Sequence, residues 1–186
     1  MKIGIDIGGS HIAAGLVNKN GNLLSKVSKD IDINRISDEK KSENLILELI
    51  ENEINLLLQK NGLDLGDISK IGISVPGIPE EGKIKNLVNL NIKDFNIGQI
   101  LKEKYNAVIK IKNDGKCAGL AEKKYGSLKS YKDCAFLCIG TGVGAAIFLS
   151  GELLEPNIRP GFELGHMIIE KNGRICNCGQ KGCFET

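Results

Sequence analysis

The sequence contains no Trp, five Phe and three Tyr, so aromatics make up only 4% of its 186 residues. Any core must be filled by Ile, Leu, Val and Ala, and a hydrophobic content of 41% is enough to build one. A strong charge of either sign is also missing. The formal net charge is +2, and the lysines are interleaved with Asp and Glu. This excludes the basic footprint of a nucleic-acid binder and an acidic tail. No apolar run reaches the roughly 20 residues of a membrane-spanning helix. The opening "MKIGIDIGG" is too short and too polar for an export signal. A reducing cytoplasm is therefore the expected setting, where clustered cysteines are metal ligands more often than disulfides. No Pro/Ser-rich linker divides the chain.

Glycine is abundant, with 23 residues gathered in short clusters beside strand patterns. Clustered glycine suggests backbone approaching a ligand. "IGIDI", "IAAGLV" and "NLLSKVSKDI" read as an antiparallel meander. Ser37 is positioned to cap a long helix reaching about Lys60, with Ile46, Ile50, Ile54, Leu57 and Leu58 at helical spacing. "KIGISVPG" reads as a strand, followed by a polar loop carrying Asn86, Asn89 and Asn91. "NIGQILKEKY" reads as a helix, "AVIKIKND" as a strand and "GKCAGLAEKKYG" as a helix. From Asp133 a second strand-rich meander begins. Strand, glycine turn, strand occurs in "GIDIGGSHIAAGLV" and again in "FLCIGTGVGAAIFL", which suggests two related α/β domains, 1–114 and 115–186.

Four sites carry candidate chemistry. Asp6, Gly8, Gly9 and Ser10 form a turn whose N–H groups can cradle an anion, with Asp6 placed to hold a metal ion or its waters. The same residues also suit an ordinary tight hairpin. Gly140, Thr141, Gly142 and Gly144 form a second such turn. It lacks the Lys-Ser/Thr ending of a Walker loop, and the strand after it argues against a dinucleotide fingerprint. Asn113-Asp114 ends a strand. Asp114 reads either as a helix N-cap or as a general base, and Gly115 and Gly119 in the helix behind it suggest backbone held close to a ligand. Finally, Cys176, Cys178 and Cys183 run Cys-x-Cys-x4-Cys, ten residues after His166. Three thiolates and an imidazole complete a tetrahedral zinc site with no open position, so the spacing favours structural zinc over a disulfide or a sulfur cluster. Glu163 and Glu185 flank this clip, either as surface charges or as fixed acceptors for sugar hydroxyls. Cys117, Cys134 and Cys138 fall in apolar patterns and are expected to be small buried groups.

Together these motifs resemble the ROK family of sugar kinases and transcriptional repressors. The resemblance runs from "IGIDIGGSHIAAGLV" through "SVPG", "IKNDGKCAGLAEKKYG" and "CIGTGVGAAIF" to "GFELGHMIIEKNGRICNCGQKGCFE", in order along essentially the whole chain. It implies an actin-like ATPase fold, also described as ribonuclease H-like, with an N-terminal domain and an incomplete second domain. It implies that Asp6, Gly8, Gly9 and Ser10 form the first phosphate motif, with Ser where Thr is usual, and that Gly140 to Gly144 form the second. It makes Asp114 the catalytic base and Asn113 its neighbouring sugar contact. Gly77, Asn89, Glu163, His166 and Glu185 match further positions that touch the sugar. Phe162 stands where small residues are common.

The implied activity is ATP-dependent transfer to the 6-hydroxyl of a hexose, with glucose first and N-acetylmannosamine, N-acetylglucosamine, allose or fructose as alternatives. The implied cofactors are ATP, Mg2+ and structural Zn2+. The implied partners are the sugar and a second copy of the full-length chain, with no nucleic acid and no membrane. Family members continue past the Cys-x-Glu segment, so the chain is expected to be the N-terminal portion of a longer kinase, without its adenosine wall. A non-catalytic sugar-binding fragment is then the other reading. A repressor of the family is expected to carry a helix-turn-helix ahead of the first phosphate motif, which here begins at residue 3.

Overall fold

A computed structural model describes residues 1–186 except Ile33, Arg35, Ser37, Gly77, Val88, Asn89, Thr141 and 156–162. The chain divides into two compact units, Met1–Asn113 and Asp114–Thr186.

The first unit is built on a five-stranded sheet. Strands β1 (Lys2–Ile7), β2 (His11–Val17) and β3 (Leu23–Asp30) are joined by tight turns and pair antiparallel. Helix α1 (Glu39–Asn61) then carries the chain to β4 (Lys70–Val75), which lies parallel to β1, and β8 (Val108–Asn113) lies parallel to β4. The spatial order is β3-β2-β1-β4-β8. Alternation along each strand sends one set of side chains to each face. Ile3, Ile5 and Ile7, Ile12, Ala14 and Leu16, and Ile71, Ile73 and Val75 are buried. Asp6 takes the opposite face and is exposed. The core is aliphatic, as the aromatic-poor composition requires, and α1 packs its apolar stripe of Ile46, Ile50, Ile54 and Leu57 into it.

Two details differ from expectation. Asp38, not Ser37, caps α1: its Oδ1 accepts from Lys41 N–H at 2.9 Å. Ser37 lies outside the described residues. A carboxylate at this position also complements the positive end of the helix dipole. Gly62, at φ 61°, closes the helix in the left-handed region that glycine tolerates. The second difference lies in the stretch read as a polar loop, which is a small antiparallel sheet of β5 (Ile78–Glu80), β6 (Lys83–Leu87) and β7 (Ile92–Phe95). Its strands are only three to five residues long, too short to show a period. Helix α2 (Ile97–Tyr105) follows directly, and its start lies on the β5–β6 turn, where Gly98 N–H donates to Gly82 O at 2.8 Å.

The second unit begins with helix α3 (Asp114–Tyr125). A three-stranded antiparallel sheet follows, β9 (Cys134–Ile139), β10 (Val143–Leu149) and β11 (Glu152–Leu153), in the order β11-β10-β9. Helix α3 packs on β9 and β10. No helix among the described residues is long and apolar enough to cross a membrane.

One buried carboxylate interrupts the apolar face of α1. Glu53 is 5% exposed, and its Oε2 has no hydrogen-bond partner. Burial raises its carboxyl above the ordinary value, with the Lys29 and Lys60 charges working against the rise. A raised folded-state value means that the native state holds more protons than the unfolded chain just above that ordinary value. Stability is therefore lost as pH rises through this window. Glu53→Gln should melt about 2 to 4 °C higher than the parent at pH 7, the shift expected for about 1 kcal/mol in a chain of this size. The gain should vanish near pH 4. Paired thermal melts at the two pH values test this, and no gain at pH 7 overturns it.

Candidate functional site

The first glycine turn joins β1 to β2. Gly8 N–H donates to His11 O at 2.9 Å, which closes the hairpin. A Cβ on Gly8 would stand 3.2 Å from that oxygen and 3.3 Å from the His11 ring, so the turn has little room for a side chain. Ser10 is exposed, and its carbonyl accepts from Ile31 N–H at 2.8 Å. The His11 imidazole against this turn was not anticipated from sequence. Only its position one residue after Ser10 hints at it.

The second glycine turn joins β9 to β10, with Gly140 N–H donating to Gly142 O at 2.9 Å. The pairing of β9 with β10 repeats the β1–β2 hairpin, as the sequence echo indicated. Asp114 is the first residue of α3 rather than the residue before it. It is exposed, and its Oδ1 accepts from Gly115 N–H at 2.7 Å.

The helix glycines have a different cause from the one expected. A Cβ on Gly119 would stand 2.3 Å from the Ala146 Cβ and 3.3 Å from the Phe136 Cβ. A Cβ on Gly144 would stand 3.3 Å from Gly115 Cα. The close approach is of α3 to its own sheet. It also sets the helix start, and with it Asp114, beside Gly144 at the exit of the turn.

The clip is the third feature. One donor atom from each of His166, Cys176, Cys178 and Cys183 lies within 4.8 Å of the others. Cys176 Sγ is 3.6 Å from His166 Nδ1, and Cys178 Sγ is 3.6 Å from Cys183 Sγ. A tetrahedron of ligands about 2.3 Å from its centre has edges of about 3.8 Å. The donors therefore fit a zinc-sized ion in both chemistry and spacing. Gly179 and Gly182, at φ 89° and 78°, let the chain turn tightly enough to bring the thiols together.

The thiols hold their protons unequally. The residue 178 N–H favours the Cys176 thiolate, but burial and the Glu185 carboxylate outweigh it and push that thiol up to about 12. Cys178 is lowered, first by the Gln180 backbone N–H, while burial raises Cys183. Three crowded thiolates need a cation to coexist, and this donor set is built to supply its ligands.

Glu185 touches both the clip and the turn. Its Oε1 accepts from Cys176 Sγ at 3.2 Å and lies 3.4 Å from His166 Nδ1, while its Oε2 accepts from Val143 N–H at 3.3 Å. Glu163 is half-buried, one turn before His166, whose N–H donates to the Glu163 carbonyl at 3.1 Å.

The family model for ROK proteins matches residues 2–186. The chain belongs to the ROK family. A glucokinase from Thermotoga maritima is 30% identical over 188 aligned positions, covering 99% of this chain and 56% of its own length. A xylose repressor from Bacillus subtilis is 28% identical over 184 positions, covering 98% of this chain and 46% of its own length. The crystal structure of a ROK hexokinase from Thermus thermophilus matches with a TM-score of 0.77 at 31% identity, over 98% of this chain and 58% of that one. The chain thus spans about half the length of the curated relatives it matches. Its mixed α/β architecture, with a central sheet and flanking helices, agrees with the family's.

Within this ROK chain the second unit gathers Asp114, Gly142, Gly144, Glu163, His166, Cys176, Cys178, Cys183 and Glu185. Asp6, Gly8, Gly9, Ser10 and Asn113 belong to the first unit. Gly77, Asn89, Thr141 and Phe162 lie outside the described residues. Sequence reasoning missed Gly165 and the contact it makes with Val143. A Cβ on Gly165 would stand 2.3 Å from Val143 O, and the glycine between Leu164 and His166 was the available signal. The remaining cysteines correct another expectation: Cys117 and Cys134 are half-buried and Cys138 is exposed. They lie on α3, where only Gly115 and Gly119 are fully buried, and on β9, where no residue is.

The packing at Gly119 yields a test. Gly119→Ala forces α3 off β10 and should destabilise the chain by about 1–3 kcal/mol, despite the better helix propensity of Ala. Urea unfolding of the two proteins checks the sign, and a stabilised Ala variant would falsify the packing explanation.

Proposed function

We propose that this ROK chain carries the phosphate, base, sugar and metal elements of an ATP-dependent hexose kinase, with glucose as the first candidate acceptor. The observation that carries the proposal is the convergence on β10. Helix α3, which starts at Asp114, packs on this strand, the second glycine turn feeds it, and Glu185 and Gly165, which neighbour the clip residues in sequence, hold its first residue, Val143. The similarity to a Thermotoga glucokinase and a Thermus ROK hexokinase supports it. In this reading the fold is actin-like, with the first unit as its N-terminal domain and the second as the start of its C-terminal domain. The chain then works in the cytoplasm, and as a dimer when full length.

The parts take these roles. Asp6, Gly8, Gly9 and Ser10 of one turn, and Gly140, Thr141, Gly142 and Gly144 of the other, supply the phosphate contacts. Asp6 would hold Mg2+ or its waters, which would supply charge screening for the triphosphate, and His166, Cys176, Cys178 and Cys183 would hold a structural Zn2+. Asn113, Glu163, His166 and Glu185 orient the sugar hydroxyls, and the family resemblance adds Gly77 and Asn89. His166 gives Nδ1 to the clip and keeps Nε2 for the sugar. Asp114 accepts the proton of the 6-hydroxyl as that oxygen attacks the γ-phosphorus, with positioning and charge stabilisation supplying most of the rate.

A second reading has its own support in the Bacillus xylose repressor. In this reading the sugar and clip residues of this chain serve sugar sensing without transfer. Phosphotransfer to a hexose panel, read by a coupled assay, separates the two. Transfer to one sugar supports the kinase, whereas calorimetric sugar binding with no transfer supports sensing. Given transfer, Asp114→Asn should reduce kcat by at least a thousandfold while sugar affinity changes less than threefold. A variant that keeps its turnover removes Asp114 from the role of base. Purified protein should hold one zinc per chain by mass spectrometry, and Cys183→Ser should lose it.

A further inference from the structure

We infer that Glu185 is a positioning residue for the second glycine turn, fastening Val143 to the metal clip so that the clip's integrity fixes the turn's geometry. The inference deepens the kinase reading, and only its nucleotide arm rests on that reading.

One carboxylate makes the link. Oε2 takes the Val143 N–H at 3.3 Å, and Glu185 stands two residues after the clip residue Cys183, with Oε1 3.2 Å from Cys176 Sγ and 3.4 Å from His166 Nδ1. With a metal bound, neither of those atoms has a proton to donate, so the fastening to the clip runs through the backbone from Cys183 to Glu185. Glu185 is itself held in place: its own N–H donates to Gly165 O at 3.0 Å, and Phe184 N–H donates to Met167 O at 2.9 Å. Its side chain is 17% exposed, which separates it from a solvated surface acid.

Two glycines show that the approach is tight. A Cβ on Gly165 would press on Val143 O at 2.3 Å, and a Cβ on Gly142 would meet Oε2 at 2.9 Å. Val143 thus bonds the carboxylate through its N–H, and its C=O lies against Gly165 beside His166. Since Val143 begins β10 immediately after the turn, the clip and the turn share one anchor. A carboxylate has about four acceptor positions. The Val143 bond leaves capacity for a substrate hydroxyl, so the sugar role and the positioning role are compatible.

Hydrogen exchange at the Val143 amide, followed by NMR in the whole chain, tests this without any nucleotide. Glu185→Ala should speed that exchange at least tenfold, and Glu185→Gln, which keeps an acceptor oxygen, should stay within threefold of the parent. Both should retain one zinc per chain. Opening the clip at Cys178, which is exposed and lies against Cys183, should transmit through Glu185. Cys178→Ser should therefore speed Val143 exchange about tenfold in the parent and less than twofold in the Glu185→Ala background. Unchanged Val143 exchange in Glu185→Ala, or an equal effect of Cys178→Ser in both backgrounds, overturns the inference. If Glu185→Ala does not fold, Cys178→Ser in the parent decides alone, and unaltered Val143 exchange there overturns it. Affinity for a non-hydrolysable ATP analogue should also fall about tenfold in Glu185→Ala. A parent that binds no nucleotide leaves the exchange measurements to decide.

Discussion

From Glu163 to Thr186 no aliphatic side chain is buried; the buried residues there are Gly165, Cys176, Gly182 and Cys183. Met167, Ile168, Ile169 and Ile175 are all more than half exposed. A segment of this kind has no hydrophobic core to hold it. What organises it is the mutual approach of one imidazole and three thiols, with backbone bonds from Cys176 to Gln180 and from Gly182 to Arg174. Metal-ligand energy can substitute for a core in small loop-rich segments, and in such cases it is folding energy. The positions of Glu163, His166 and Glu185 all depend on that one constraint.

The rest of the chain obeys the opposite economy. In the first unit, burial of Ile and Leu on one face of a five-stranded sheet does the organising, and exposed groups such as Asp6 follow from strand alternation alone. Glu53 is the exception in that core. Near β10 the governing factor is neither burial nor metal but the absence of side chains. Gly119 and Gly144 let α3 lie almost backbone to backbone on its sheet, and this brings Asp114 to the turn. The candidate site residues are thus placed by three different means, each acting on separate residues within its own unit.

Much of this was legible beforehand, for identifiable reasons. Long elements such as α1 announced themselves by periodicity, and the paired hairpins by glycine turns between β-branched runs. The clip was legible because ligand identity and spacing are themselves the signal. The β5–β7 sheet was not, since its strands are shorter than any detectable period. The helix glycines were noticed but assigned to a ligand, because sequence shows that backbone must come close without showing to what. Cys138 was placed inside by its apolar neighbours, yet it lies on β9, which is exposed along much of its length.

The sequence by itself determined the ROK family, the aliphatic character of the core, the two glycine turns and the four candidate metal ligands. Each is a property of residue type and local spacing. Only the tertiary structure decided that Glu185 spans from Cys176 to Val143, that Gly165 presses on the same residue, and that Gly119 serves packing. Those contacts join residues 9 to 42 positions apart through distances of a few ångströms. Local propensity carries no information about such approaches, because they are fixed only when the elements pack.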